Sequence, residues 1–132
     1  MTRSGSLNVQ VFCEINTSEE SSKVNTAVRN VFPNLEISIN RHQIIGKSSS
    51  IESLSNISES INTKNTKNIL QRILKQNTDG HSTWFYLNKQ AAFANVIALC
   101  DEEDQSPLGA IKVVLHSQNI EDVIDWFVSD IE

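Results

Sequence analysis

The residues best suited to chemistry are the cations in the middle of the chain. Residues 41–78 hold six basic and two acidic side chains, a local charge of +4, whereas residues 79–132 hold two basic and ten acidic ones, a charge of −8. The six cations are Arg41, Lys47, Lys64, Lys67, Arg72 and Lys75. Clustered Lys and Arg neutralise nucleic acid phosphates and release counterions. The middle segment is therefore the candidate nucleic-acid surface, in a chain of net charge −5.

Helical spacing would bring several of these cations onto one side of a single element. A helix predicted over residues 62–76 places Lys64, Lys67 and Lys75 within one arc, with Arg72 beside it. The opposite side is apolar and holds Ile69, Leu70, Ile73 and Leu74. This arrangement fits a face that follows a phosphate backbone, which Arg41 and Lys47 would extend if their turn lay nearby. It equally fits the solvated side of an ordinary amphipathic helix.

A second candidate contact surrounds Asn88-Lys89-Gln90-Ala91-Ala92-Phe93, a polar corner that follows the aromatic residues Trp84 and Tyr86. Aromatic rings beside a lysine on a sheet can stack nucleic acid bases. Such rings are also common as core residues and cross-strand pairs. Lys89 therefore joins the six cations as a candidate nucleic-acid contact.

Motifs for catalysis or metal binding find little support in the sequence. Gly46-Lys47-Ser48 resembles the end of a phosphate-binding loop, but Arg41 stands where that loop requires a glycine. The acidic run at 101–104 is typical of a solvated loop. Cys13 and Cys100 lie in apolar strand patterns and lack the close spacing of zinc ligands. We therefore expect a noncatalytic protein without a metal or cofactor.

The periodicity of apolar residues predicts the elements that would position these groups. Alternation at a period of two predicts strands over 7–15, 35–39, 81–87, 95–100 and 110–116, the second extended or bent through 42–45 towards a turn at Gly46. Helical spacing predicts helices over 18–31, 49–61, 62–76 and 119–127, the first two opened by capping boxes at Thr17-Ser18-Glu19-Glu20 and Ser49-Ser50-Ile51-Glu52. The order predicts an α+β fold with one mixed, largely antiparallel sheet and helices packed on one face.

Length and hydropathy set the broad class. A chain of 132 residues fits a single α+β domain spanning 1–132. No apolar run approaches the roughly 18 residues that a membrane span needs, and residues 1–6 do not resemble a secretory signal. We therefore expect a cytoplasmic protein with no membrane partner.

Four short stretches together resemble a known family. They are Asn30-Val31-Phe32-Pro33, Asn88-Lys89-Gln90-Ala91-Ala92-Phe93, Ser106-Pro107-Leu108-Gly109-Ala110-Ile111 and Asp125-Trp126. The chain resembles, over almost its whole length, a family of short uncharacterised archaeal proteins catalogued as RNA binding. The resemblance implies an α+β fold similar to the large-subunit ribosomal protein that holds 5S RNA, with no established reaction or cofactor. It marks Asn88, Lys89, Gln90, Pro107 and Gly109 as family-pattern positions without giving them a binding role.

Two functions have residues behind them at this stage, and a third, an enzyme acting on a small ligand, stays open without a candidate set of residues. The basic segment and the resemblance favour a noncatalytic, RNA-associated protein that binds structured RNA through the Arg41–Lys75 region, with its basic helix face, and through Lys89. The net charge of −5 and the edges of a small open sheet favour a structural or protein-interaction module, a homodimer without nucleic acid. The stretch from Ser48 to Asn68, rich in Ser and Asn, departs from the family pattern.

Overall fold

A computed structural model describes residues 7–61, 64–100 and 109–128. Within these ranges the strands are β1 (Asn8–Glu14), β2 (Glu36–Ile39), β3 (Gln43–Ser48), β4 (Ser82–Asn88), β5 (Leu99–Cys100) and β6 (Ala110–His116). The helices are α1 (Ser21–Val31), α2 (Ser55–Ser60), α3 (Lys64–Gln76), α4 (Lys89–Phe93) and α5 (Ile120–Val128). A short 3₁₀ helix, Ile51–Leu54, leads directly into α2.

The strands form one six-stranded sheet in the order β2-β3-β1-β6-β4-β5. Every described pair is antiparallel, so the sheet is antiparallel rather than mixed. β6, the last of the six strands in the chain, lies in the middle of the sheet between β1 and β4. The predicted α+β class is confirmed.

Alternation along the strands gives the sheet one covered and one open side. Val11 of β1, Val113 of β6 and Phe85 of β4 lie side by side in the ladder and are fully buried. The apolar sides of the helices complete this core, which holds Val28 of α1, Ile57 of α2, Leu74 of α3 and Phe127 of α5 among its members. The helices therefore pack on one face of the sheet, as predicted.

The first helix begins later than its capping box predicted. α1 starts at Ser21, and its cap residue Glu20 makes no side-chain capping bond. Glu19 instead belongs to a turn, in which its carboxylate accepts hydrogen bonds from Asn16 N at 2.9 Å and from Asn16 Nδ2 at 3.2 Å. The prediction of a start at Ser18 was wrong because Glu19 stabilises this turn and not the first turn of the helix.

The predicted turn at Gly46 was also wrong. Gly46 lies in the middle of β3, and the chain reverses at Asn40, whose Oδ1 accepts from His42 N at 2.8 Å and from Gln43 N at 2.9 Å. A Cβ at Gly46 would come within 2.8 Å of Leu35 Cγ. Glycine is therefore required here because the Leu35 side chain packs directly against its backbone, and not because the chain turns.

The polar corner after β4 is a helix. Asn88 caps α4 by accepting a hydrogen bond from Ala91 N at 2.8 Å, and the five helical residues place Phe93 on the surface. Because α4 and its exit take up the following residues, the strand predicted over 95–100 shortens to Leu99–Cys100. The acidic loop at 101–104 and the turn at Pro107 lie outside the described residues.

Candidate nucleic-acid interface

α3 presents a cationic side to solvent, as the sequence predicted. Arg72 and Lys75 are exposed, and Lys67 is partly exposed. Leu70 and Leu74 on the other side are fully buried. Lys64 opens the helix in the expected position, although its side chain lies outside the described part. The helix therefore offers solvent a run of cations over its last three turns.

Arg41 and Lys47 do not extend this run. Arg41 lies in the turn between β2 and β3, and Lys47 on β3 is paired with Gln10, so both side chains of that pair are on the side of the sheet without helices. α3 lies on the helix side and contacts β4. Three strand spacings, roughly 14 Å, separate β3 from β4 in the sheet. The sequence-predicted cations thus do not form one surface, because Arg41 and Lys47 are separate from the α3 cations.

Lys89 is a buried residue, which the sequence reading did not predict. Only 3% of the residue is exposed, and its Nζ donates to Glu14 O at 2.8 Å. The ammonium also lies 3.0 Å from Glu19 Oε1 and 3.3 Å from Oε2. This ion pair joins the end of β1, the turn before α1 and the start of α4. An ammonium held in this way faces the protein interior, which argues against a phosphate contact at Lys89.

Cys13 lies next to this ion pair and stays protonated. Burial raises the pKa of the Cys13 thiol to about 12, an effect that Lys89 partly opposes and that Glu19 and Glu14 reinforce. A neutral buried thiol is a weak nucleophile and behaves as a small apolar side chain. Cys13 therefore belongs to the core and not to a reactive site.

Three of the five family-pattern positions, Asn88, Lys89 and Gly109, lie close to this ion pair. Asn88 caps α4, Lys89 forms the ion pair, and a Cβ at Gly109 would lie 3.9 Å from Lys89 Nζ. Gly109 has φ +92°, a backbone conformation that favours glycine. Asn30 of α1 ties down the other end of α4 by donating to Ala92 O at 2.8 Å. The pattern therefore describes a joint between strands and helices, and Pro107 lies outside the described residues.

One signal in the sequence could have revealed this joint. An Asn followed by Lys, Gln and two Ala is an N-cap followed by good helix formers. That pattern predicts a helix at 89–93 and directs attention to the position of its first residue, Lys89. The partner Glu19, 70 residues earlier, could not be found in the same way.

The side of the sheet without helices, called the open face below, carries aromatic and polar side chains. Phe12, Lys112 and Tyr86 lie side by side on β1, β6 and β4. The neighbouring row holds Gln10, Val114 and Trp84. Gln10 is exposed and the other five are partly exposed. Lys112 Nζ lies 5.5 Å from the centre of the Trp84 ring, a cation–π contact.

The residue after α3, Asn77, contacts the edge of β4. β5 pairs with β4 only at Tyr86 and Leu87. Beside the preceding part of β4, Asn77 at the end of α3 donates its Nδ2–H to Trp84 O at 2.9 Å. Arg72 and Lys75 therefore lie within five residues of Asn77, which contacts the Trp84 backbone.

Two of the three histidines contact each other at one end of the sheet. His81 and His116 pack edge to face at 6.2 Å, and His116 Nδ1 shares a 2.9 Å hydrogen bond with Ser82 Oγ. Among the described residues, no group of three or more His, Cys, Asp or Glu side chains is arranged to hold a metal ion. None of the helices in those ranges is long and apolar enough to cross a membrane.

Comparison with known proteins places this fold in a family. A family model described as RNA binding matches residues 8–117. A UPF0201 protein of Methanothermobacter thermautotrophicus is 38% identical over 123 residues, which cover 93% of this chain and 92% of the relative. The chain belongs to the UPF0201 family. A second UPF0201 protein, from Saccharolobus solfataricus, is 28% identical and covers 89% of this chain and 84% of its own length.

Solved UPF0201 structures share the fold. The protein from Methanococcus jannaschii superposes with a TM-score of 0.79 at 21% identity, covering 92% of this chain and 99% of its own. Another UPF0201 structure gives 0.75 at 28% identity, covering 89% and 90%. The predicted membership in a family of archaeal proteins catalogued as RNA binding is confirmed. The expected likeness to the ribosomal protein that holds 5S RNA stays a prediction.

Proposed function

We propose that this UPF0201 protein is a noncatalytic cytoplasmic protein that associates with RNA through the exposed side of α3. The observation that carries the proposal is the row of Lys67, Arg72 and Lys75 on a helix whose other side is firmly packed in the core. The family description, RNA binding, supports the same ligand. Phosphates would be neutralised by these side chains without any chemical step.

The surroundings of α3 limit the strength of this interaction. α5 packs against α3 and exposes Glu121, Asp122 and Asp125. The whole chain carries −5. RNA would therefore be attracted by a local patch against the overall repulsion, and the affinity should depend strongly on ionic strength.

Binding at two salt concentrations tests the proposal. Fluorescence anisotropy would follow labelled structured RNA and DNA of equal length at 50 and 200 mM salt. Three to four neutralised phosphates give a logarithmic slope of about −2 to −3.6, depending on how much of the nucleic acid is paired, so affinity should fall roughly 20- to 150-fold. An absence of binding at 50 mM would overturn the proposal.

Charge reversal locates the contact. Lys75→Glu, and more strongly Arg72→Glu/Lys75→Glu, should weaken RNA binding and make the salt dependence shallower. Lys23→Glu is the matched control, because Lys23 is also an exposed lysine and lies on a different helix, α1. If Lys23→Glu weakened binding as much as Lys75→Glu did, the net charge and not the α3 surface would control affinity.

The edge strand β2 favours a second candidate, a homodimeric protein-interaction module without nucleic acid. β2 ends the sheet order, and Ile39 on it is 50% exposed. Open strand edges pair readily with other strands. Light scattering over a wide concentration range should then give a dimer mass, which Ile39→Lys would reduce to that of a monomer. A monomer mass throughout would contradict this candidate.

A further inference from the structure

We propose that the open face of the sheet is a second contact surface, on which the unpaired bases of a single-stranded RNA segment stack. The surface consists of Phe12, Trp84 and Tyr86 around Lys112, with Gln10 and Val114 beside them. This inference rests on the proposed function for the identity of the ligand as RNA. It adds the class of RNA, unpaired nucleotides, and the residues that would receive the bases.

The spacing of the rings suits several consecutive bases. Trp84 and Tyr86 are two residues apart on β4, so their side chains project from the same face about 7 Å apart. Phe12 lies two strands away in the row of Tyr86, with Lys112 between them. Antiparallel sheets that bind single-stranded RNA stack two or three bases on rings arranged across neighbouring strands. The described helices lie on the other face of the sheet, and the three rings are partly exposed.

The charge of the surface favours a nucleic acid. The central six residues of the open face include one cation, Lys112, and no carboxylate. The acidic residues of this face are at its margins, where Glu36 lies opposite Lys47 and Glu14 lies opposite Gln43. Among the described residues, no negative side chain therefore lies at the centre of the face where a phosphate would approach Lys112.

The Lys112 ammonium has a role both in the free protein and in the proposed RNA complex. In the free protein its ammonium lies over the Trp84 ring, 5.5 Å from the ring centre. That position puts a cation on the ring face, where a base and its phosphate would arrive. On binding, the base takes the ring face and the ammonium moves to the phosphate, so the cation is retained in the complex.

The open face and α3 lie on opposite sides of the sheet, and the residue after α3 reaches the edge of β4. Asn77 Nδ2 contacts Trp84 O, and Lys75 precedes Asn77 by two residues. One RNA strand could therefore lie with its bases on β4 and β1 and its backbone continue over the edge of β4 towards α3. The two surfaces would then bind different parts of the same molecule.

Tryptophan fluorescence tests the inference directly. The chain has two tryptophans, and Trp126 is stacked against Phe127 in α5. The Trp126→Phe variant leaves Trp84 as the only tryptophan. Titration with a ten-nucleotide single-stranded RNA should quench this fluorescence, whereas the same sequence in a duplex should quench it far less because paired bases are not free to stack.

Substitutions provide the second measurement. Trp84→Ala and Phe12→Ala should each weaken single-stranded RNA binding by about 5-fold or more, as expected for the loss of one stacked base. Trp84→Phe should retain most of the affinity, since a ring remains. Phe93→Ala is the matched control, because Phe93 is 48% exposed on α4 and away from the open face. Circular dichroism checks that each variant is folded, and the Trp126→Phe titration remains informative if an alanine variant is not.

The possible outcomes separate the inference from the proposed function. Unchanged Trp84 fluorescence, together with RNA binding that Arg72→Glu/Lys75→Glu abolishes, would overturn the inference and leave the proposed function standing. A lack of any RNA binding would overturn both. If Trp84→Ala converted a dimer to a monomer without changing RNA affinity, the open face would join two copies of the chain and the inference would be wrong.

Discussion

The charged side chain of Lys89 is buried where the end of β1, the turn before α1 and the start of α4 meet. Its side chain is 4% exposed and that of its partner Glu19 is 10% exposed. Glu19 also accepts from Asn16 N, so its carboxylate has two kinds of donor. Removal of one member of a buried ion pair leaves an uncompensated charge, which costs far more than the pair itself contributes.

We predict that Lys89→Met lowers the free energy of unfolding by about 3–5 kcal/mol. Adding Glu19→Gln should recover part of that loss, because a neutral amide can still accept from Asn16 N without a buried negative charge. Urea denaturation of the two single variants and the double variant measures this coupling. Additive losses would show that the two side chains act independently.

The folded fraction of Lys89→Met should bind RNA as the unmodified protein does. The reason is that the Lys89 ammonium faces Glu14 O and Glu19 in the structure. A large loss of RNA affinity in the folded variant would restore Lys89 to the contact surface that the sequence first predicted.

At the scale of elements, β3 depends on the missing side chain at Gly46. β3 pairs with β1 on one side and β2 on the other, and Leu35 crosses the covered side of Gly46. An added methyl group must displace Leu35, which is itself 3% exposed and tightly packed. Overpacking of this kind typically costs about 1–3 kcal/mol.

We therefore predict that Gly46→Ala destabilises the protein by about 1–3 kcal/mol. Leu35→Ala in the same chain should make the effect of Gly46→Ala smaller, since it removes the atoms that the new Cβ meets. Thermal unfolding of the four proteins in this cycle gives the coupling. Lys47→Ala, at the neighbouring exposed position, is the control and should change stability little.

Single elements were well predicted where one periodic face decides their position. β6 has the predicted bounds, Ala110–His116, and α5 buries Ile120, Val123, Ile124 and Phe127 as expected. Predictions failed where a distant partner determines the local structure. Glu19 contacts Asn16 and Lys89 and does not cap the first turn of α1. The Leu35 side chain is the reason that position 46 requires glycine. Spacing along the chain contains no information on such partners.

The candidate site was likewise predicted where residues share one helix and missed where they come from distant parts of the chain. The cations of one helix, Lys67, Arg72 and Lys75, could be grouped because helical periodicity fixes their common side. Arg41 and Lys47 were grouped with them by sequence proximity, yet the sheet order places them several strands away from β4. The cross-strand row of Phe12, Lys112 and Tyr86 joins three distant parts of the chain and needs the register to be recognised.

At the scale of the whole molecule, one core connects the described elements. Its buried members run from Leu7 before β1 to Phe127 in α5. A shared core of this kind predicts that the protein unfolds as a single cooperative unit, in agreement with the single domain expected from its length.

The fluorescence of the two tryptophans can test this cooperativity, because one lies in the sheet and the other in the helical layer. Trp84 lies on the open face of the sheet and Trp126 lies on α5. We predict that the variants Trp84→Phe and Trp126→Phe, each with one remaining tryptophan, show the same fluorescence midpoint in urea as their own circular dichroism. Fluorescence and circular dichroism midpoints that differ within either variant would indicate that the layers unfold separately.

The central position of β6 has a consequence for the synthesis of the protein. The ribosome makes the other five strands first, so β1 and β4 must wait without the strand that will lie between them. During that interval the nascent chain exposes two strand edges that can pair with other chains. Cells that make this protein rapidly would therefore gain from chaperones that shield the incomplete sheet until its central strand arrives.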